Sequence, residues 1–288
     1  MPQLVWLVTG CSSGFGLQFT HSILARGDLV IATARNPASI QHLSSLDGVS
    51  VLQLDVTSPQ HEIDATIAHA VAIHGHIDVL INNAAHVQLG VWEELEYEDW
   101  TRQFETNVFG TIKVTKPVLS HMRTRNQGTL VFVSSLNGFV AHPTVGPYSA
   151  SKHALEGAVE SLSHEVAMMG SGVKTLLIEP GRFRTELLSS SNLKVKTAES
   201  TNPEYTKFYK EVFPAVSNES GRQPGDPVKL ASIVLDLVRN EGIAEGKNVP
   251  LRILLGNDAW EEVGTKLRST LKSFEEWEGV TRSTDFDA

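Results

Sequence analysis

A single cysteine, Cys11, stands among 288 residues. One thiol excludes an internal disulfide framework and cannot by itself build a zinc site, so no metal is expected and a reducing, cytoplasmic setting fits. Cations are also short: 24 Lys and Arg face 33 Asp and Glu, a net charge of −9, and no basic stripe appears. Nucleic-acid grooves and anionic membrane surfaces need clustered cations, so neither partner is expected. No apolar run approaches the roughly 18 residues of a membrane helix, and the apolar start LVWLV lacks a basic leader, so it reads as a strand. Repeats, low-complexity tracts and Pro/Gly-rich linkers are missing, which points to one domain over 1–288.

What is present is a rhythm. Seven apolar runs, at 4–9, 29–34, 49–54, 77–81, 129–134, 173–179 and 250–255, alternate with stretches of helical spacing such as Ile63, Ile67, Ala70, Val71 and Ile73. Alternation of strand and helix predicts an α/β fold, a doubly wound parallel seven-stranded sheet with helices on both faces. Continuous apolarity in VWLV, DVLI and TLVFV fits strands buried on both sides. The stretch from Glu186 to Pro227 breaks the rhythm, has no sheet character, and gathers Tyr205, Phe208, Tyr209 and Phe213. A long aromatic segment of this kind reads as a lid over a substrate.

The polar motifs fall where the strands end, the side of such sheets that binds ligands. After the first strand the turn TGCSSGFG places Gly10, Ser12, Ser13, Gly14, Phe15 and Gly16 ahead of a helix, where backbone N–H groups and the helix dipole suit a pyrophosphate. The second strand ends in Ala34 and Arg35. The missing carboxylate and added guanidinium suit a 2′-phosphate, hence NADP(H) in preference to NAD(H). Asp55, followed by Val56, either accepts from an adenine or caps a helix. Asn82 and Asn83 end the fourth strand, and Ser135 lies thirteen residues ahead of Tyr148. Lys152, one helical turn beyond Tyr148, would favour the phenolate and let it exchange a proton with an alcohol or ketone. Ser134 and Ser135 point to opposite sides, so only one faces a cleft, and the spacing selects Ser135.

Taken in order, TGCSSGFG, NNAA, VFVSSLNG, YSASK and PGRFRT resemble the motifs of the short-chain dehydrogenase/reductase family, single-domain branch, across residues 9–185. The resemblance implies that Tyr148 is the acid/base, that Lys152 holds the nicotinamide ribose and lowers the tyrosine pKa, and that Ser135 hydrogen-bonds the reacting oxygen. It implies that Asn107 anchors a water linking the lysine to solvent, and that Pro180, Gly181, Phe183 and Thr185 border the nicotinamide. Ala85 and Phe183 depart from the family's usual glycine and aliphatic residue. His86, Asn137 and His142 lie on the rim, with Asn137 and His142 as substrate contacts. The implied activity is an NADP(H)-dependent alcohol dehydrogenase or ketoreductase for a hydrophobic small molecule. The alternatives are a catalytically silent nucleotide-binding regulator, or an isomerase or dehydratase using the same Tyr-Lys pair. A small-residue stripe, Ala150, Ala154 and Ala158 with Gly157 beside it, predicts a homodimer or homotetramer through that helix, and the tail after Leu271, around Trp277, is expected on a neighbouring subunit.

Overall fold

The computed structural model describes residues 2–189, 192–195 and 202–286, with side chains undescribed for 213–219. The strands are β1 (Val5–Val8), β2 (Leu29–Ala34), β3 (Val49–Gln53), β4 (Val79–Asn82), β5 (Val87–Leu89), β6 (Gly128–Val133), β7 (Val173–Pro180), β8 (Leu193–Val195) and β9 (Arg252–Leu255). Seven of them form one parallel sheet in the order β3-β2-β1-β4-β6-β7-β9. Each of the seven expected runs is a strand of that sheet. Its order turns back between β1 and β4, which opens the crevice where α/β sheets bind ligands.

The helices are α1 (Gly14–Ala25), α2 (Gln60–His74), α3 (Tyr97–Phe104), α4 (Thr111–Arg125), α5 (Gly146–Met168), α6 (Pro203–Glu219), α7 (Pro227–Arg239), α8 (Asn257–Glu276) and α9 (Glu278–Arg282). Along β1 successive side chains serve opposite faces. Trp6 and Val8 pack with Phe19 and Ile23 of α1 and Leu230 and Val234 of α7. Val5 and Leu7 pack with Ile63 and Ile67 of α2, Val114 and Val118 of α4, and Leu155 and Val159 of α5. Fully burying one such side chain stabilises the fold by about 1.5–3 kcal/mol, so both layers are held firmly under the crevice.

The expectation of no sheet character after Glu186 is corrected. β8 pairs in parallel with β5, Val87 opposite Leu193 and Leu89 opposite Val195, and helix α6 follows. The tail beyond Leu271 is helical, completing α8 and forming α9, and leaves Leu271, Phe274 and Trp277 exposed. No described helix is long and apolar enough to cross a membrane.

Candidate active site

Strand β1 ends in a turn that only glycine permits at two points. Gly10 and Gly14 have φ of +74° and +54°, the left-handed region that disfavours other residues. Gly16 lies beneath the turn, where a Cβ would stand 2.2 Å from the Gly10 carbonyl oxygen. Asn83 ties the turn down: its Nδ2 donates to the Thr9 carbonyl at 2.8 Å and to the Gly10 carbonyl at 3.1 Å. Thr9 Oγ1 in turn accepts from the amides of Asn83 and Ala84, a brace that sequence reading did not single out. The amides of Ser12, Ser13 and Gly14 make no hydrogen bond among the described residues, so donors at a helix N-terminus remain for an anion.

A cleft of about 970 Å³ opens above the strand ends and reaches from Arg35, Asp55 and Val56 to Tyr148 and His142. Gly10, Ser12, Ser13, Gly14, Phe15, Asn83, Ser135, Asn137, Lys152, Pro180, Gly181, Phe183 and Thr185 also line it. Gly16 and Asn107 do not, because each supports the wall from behind. Among the described residues no cluster suited to a metal occurs.

Strand β6 and helix α5 converge on the chemistry. Ser135 leaves β6 and caps a short turn, accepting from the Asn137 amide at 3.1 Å. The Tyr148 ring is buried against Val87 and Leu89, with Leu187, Leu193 and Val195 around it. Burial pushes its phenol up to about 12, and a hydrogen bond with Ser135 pulls the other way. Burial is thus the larger effect on the phenol. Lys152 Nζ lies 5.7 Å from the Tyr148 ring centre and donates to the Val133 carbonyl at 2.7 Å. Burial lowers Lys152 to about 8, with Glu156 opposing. Ser134 also lines the cleft, but its Oγ donates to Glu156 Oε1, which leaves Ser135 as the serine that meets the tyrosine.

Asn107 sits in a π-helical turn, Glu105–Gly110, between α3 and α4, a distortion that recurs at functional sites. Its Oδ1 accepts from the His86 amide, and its Nδ2 donates to the His86 carbonyl and to Ser151 Oγ, each at 3.2 Å. His86 faces the cleft, where burial, and then Arg102, lower its pKa to about 4.

At the cofactor end, Arg35 is exposed and enters no ion pair among the described residues. Asp55 Oδ1 accepts from the Thr57 amide and hydroxyl, a local turn, so it does not cap α2 directly. Phe183 packs edge-on to Phe15 at 5.5 Å, and Thr185 rests against Gly14. These groups fit a phosphorylated dinucleotide: free backbone donors at the turn, no carboxylate at Ala34, and an available guanidinium.

The other rim holds a network that sequence reading missed. His142 Nδ1 meets Asn137 Oδ1 at 2.8 Å and its Nε2 meets Glu262 Oε2, on α8, at 2.7 Å. Arg182 Nη1 donates to Glu262 Oε1 at 2.8 Å, and the Arg182 amide donates to Asp258 Oδ2 at 2.6 Å. Burial alone would raise Glu262, but Arg182 and His142 hold it below the ordinary carboxylate range. The expected lid gives Leu187, Leu188, Asn192 and Lys194 to the cleft. Phe208 is not among the lining residues, and the side chain of Phe213 lies outside those described. Tyr209 is buried: its hydroxyl donates to Glu94 Oε2 at 2.6 Å and accepts from the Val91 amide at 3.0 Å.

Residues 4–196 match the family model described as short chain dehydrogenase. An uncharacterized oxidoreductase of Bacillus subtilis, YusZ, is 35% identical over 279 residues, covering 91% of this chain and 98% of the relative. Human retinol dehydrogenase 8 is 33% identical over 255 residues, covering 83% and 79%. The crystal structure of a short-chain dehydrogenase from Streptomyces avermitilis superimposes with a TM-score of 0.86 at 36% identity, covering 99% of this chain and 100% of that one.

Proposed function

The chain belongs to the short chain dehydrogenase family of oxidoreductases, and on that premise we propose that it interconverts a hydrophobic alcohol and its ketone or aldehyde with NADP(H). When bound, the nicotinamide supplies or accepts the hydride. Everything else falls to this chain's residues. The observation that carries the reading is the meeting of Ser135, Tyr148 and Lys152 on one buried wall of the cleft.

Tyr148, whose phenol is raised to about 12, keeps its proton at neutral pH. It is the acid that protonates the oxygen of a carbonyl undergoing reduction, and the base in the reverse direction. Ser135 Oγ, oriented by the Asn137 amide, holds the reacting oxygen beside the phenol. Lys152 holds the nicotinamide ribose, and its ammonium charge stabilises the phenolate that forms when the proton leaves. Asn107 fixes the backbone of His86 and anchors the water through which the lysine exchanges protons with solvent. Asn137 and His142 meet the substrate. Arg35 binds the 2′-phosphate, while Asp55 and Val56 border the adenine and the turn from Gly10 to Gly16 receives the pyrophosphate.

The segment 186–227, of which 190–191 and 196–201 lie outside the described residues, is proposed as the lid that excludes water from hydride transfer, its described part tied down by the β5–β8 ladder and the Tyr209–Glu94 hydrogen bond. Val87, Leu89, Leu187 and Leu188 make the substrate end apolar, in keeping with the relative named for retinol. One domain, a cytoplasmic location and assembly through α5 complete the reading. The outer face of α5 leaves Gly157 and Ala158 exposed, close-approach residues that suit an isologous helix pair. The test is an absorbance screen at the nicotinamide band with NADPH and NADP⁺ against hydrophobic carbonyls and alcohols. Turnover abolished by Tyr148→Phe is expected; the reading fails if no compound turns over.

A further inference from the structure

At the end of β6, Val133 and Ser134 are each gripped by a different turn of α5, and Ser135, next in the chain, lines the same cleft as Tyr148. Tyr148, Lys152 and Glu156 stand at i, i+4 and i+8 and so share a helix face. Lys152 Nζ holds the Val133 carbonyl at 2.7 Å, and Ser134 Oγ donates to Glu156 Oε1 at 2.5 Å. We propose that Glu156 is a positioning residue: its buried carboxylate fixes the strand end that presents Ser135 and supplies the negative charge that keeps Lys152 an ammonium. The inference rests on the function proposed above, in which both groups act.

The surroundings of Glu156 are built around its charge. Only 4% exposed, it would be costly to ionise without partners. Its Oε2 accepts from Arg252 Nη1, and the same guanidinium reaches Glu179 Oε1 at 3.0 Å and Glu160 Oε2 at 2.8 Å. The turn after Ser135 wraps the carboxylate so closely that a Cβ on Gly138 would stand 1.8 Å from Glu156 Oε1. Residues 134 to 138 are thus shaped by Glu156, although the carboxylate is not among the groups lining the cleft.

Its second effect is electrostatic. From α5, Lys152 is faced by Tyr148, a neutral phenol, and by Glu156; from β6 it meets a carbonyl. Arg252 on β9 and Glu179 on β7 stand behind Glu156. Burial lowers Lys152 and Glu156 is the charge that raises it. Three carboxylates around one arginine leave a surplus negative charge for the lysine to balance, and burial, then Glu156, raise Glu179 to about 7.

The test compares Glu156→Gln, Glu156→Asp and Ser134→Ala with the wild-type chain. Lysine carbon-13 NMR titrates Lys152 without cofactor or substrate, and kcat/KM is followed across pH. Glutamine can still accept from Ser134 but carries no charge. In Glu156→Gln the Lys152 titration should fall by about one pH unit, the scale of losing one near counter-charge. Activity that needs the ammonium should then drop roughly five- to tenfold between about pH 8 and 9 and stay near wild type at about pH 6. Ser134→Ala should lower kcat roughly two- to tenfold, one hydrogen bond's worth, with the titration unmoved.

A Glu156→Gln titration matching wild type overturns the electrostatic role, and an unchanged kcat in Ser134→Ala overturns the positioning role. If the glutamine variant does not fold, Glu156→Asp decides, since it keeps the charge and shortens the reach: reduced kcat with a wild-type Lys152 titration is expected, and an unchanged kcat refutes the proposal. The NMR arm reads Lys152 even if no substrate turns over, which separates failure of this inference from failure of the functional reading.

Discussion

Replacing Arg35 by alanine should cost NADPH affinity and leave NADH affinity alone. The guanidinium is exposed at the cleft and enters no ion pair among the described residues, so its removal breaks no internal contact. Among the described residues, the hydrogen bond at this position, from Gln53 Nε2 at 3.1 Å, goes to the backbone carbonyl and survives the substitution. Stability should therefore change by less than about 0.5 kcal/mol. One charge-assisted contact to a 2′-phosphate is worth about 1.5–3 kcal/mol, roughly a 10- to 150-fold change in Kd. Solvent around an exposed side chain screens part of this, which puts the expectation at the lower end, about 10- to 30-fold. Fluorescence titration of both cofactors at two salt concentrations measures it, with the NADPH penalty shrinking as salt rises. Ala34→Asp is the complementary change, placing a carboxylate where a ribose hydroxyl would be favoured and a phosphate repelled. Equal weakening of NADPH and NADH by Arg35→Ala would refute the reasoning and withdraw the NADP assignment.

Glu262→Gln should loosen α8 from the rim, raising KM several-fold with little change in kcat, as steady-state kinetics will read. Glu262 is held below its unfolded value, so its contribution to stability is present at neutral pH and is lost as pH falls through the carboxylate range, which thermal melts from about pH 7 to 3 will show as a wild-type penalty absent from the variant. Glu179 is raised to about 7, so the folded state binds its proton more tightly and wild-type stability falls as pH climbs from the ordinary carboxylate value toward 7. Glu179→Gln should consequently melt a few degrees higher than wild type at about pH 8, with the gain fading by about pH 5. Ala158→Arg should reduce assembly size by light scattering and lower activity if α5 pairs with its copy, while an active wild-type monomer at micromolar concentration would defeat the oligomer proposal.

The centre of the sheet was readable because β1, β4 and most of β6 are buried on both faces and so are apolar without interruption, as in VWLV and TLVFV. The glycine turn and the serine–tyrosine–lysine spacing were readable because they are local. Strands β5 and β8 were not: three residues carry no usable period, and Val87–Leu89 finds its partner more than a hundred residues away. For the same reason His142 gave no sign that Glu262, 120 positions later, would hold it. Helical spacing showed Lys152 beside Tyr148 but carried no information on burial, which decides the direction of the tyrosine's pKa. Glu156 reads in sequence as one more charge on a helix, and only the packing of β6, β7 and β9 against α5 makes it a buried anion.

The central claim is that this chain transfers a hydride to or from carbon with Tyr148 moving the proton. The most direct measurement follows NADPH absorbance with an apolar carbonyl panel, and NADP⁺ with the matching alcohols, for wild type and Tyr148→Phe, with cofactor affinity titrated in parallel. The account predicts wild-type turnover, a loss of at least about 100-fold in kcat for the phenylalanine variant, and NADPH affinity within about twofold, since the ring still packs and only an oxygen is removed. Tight NADPH binding with no turnover in either direction, or near wild-type kcat in Tyr148→Phe, would contradict it.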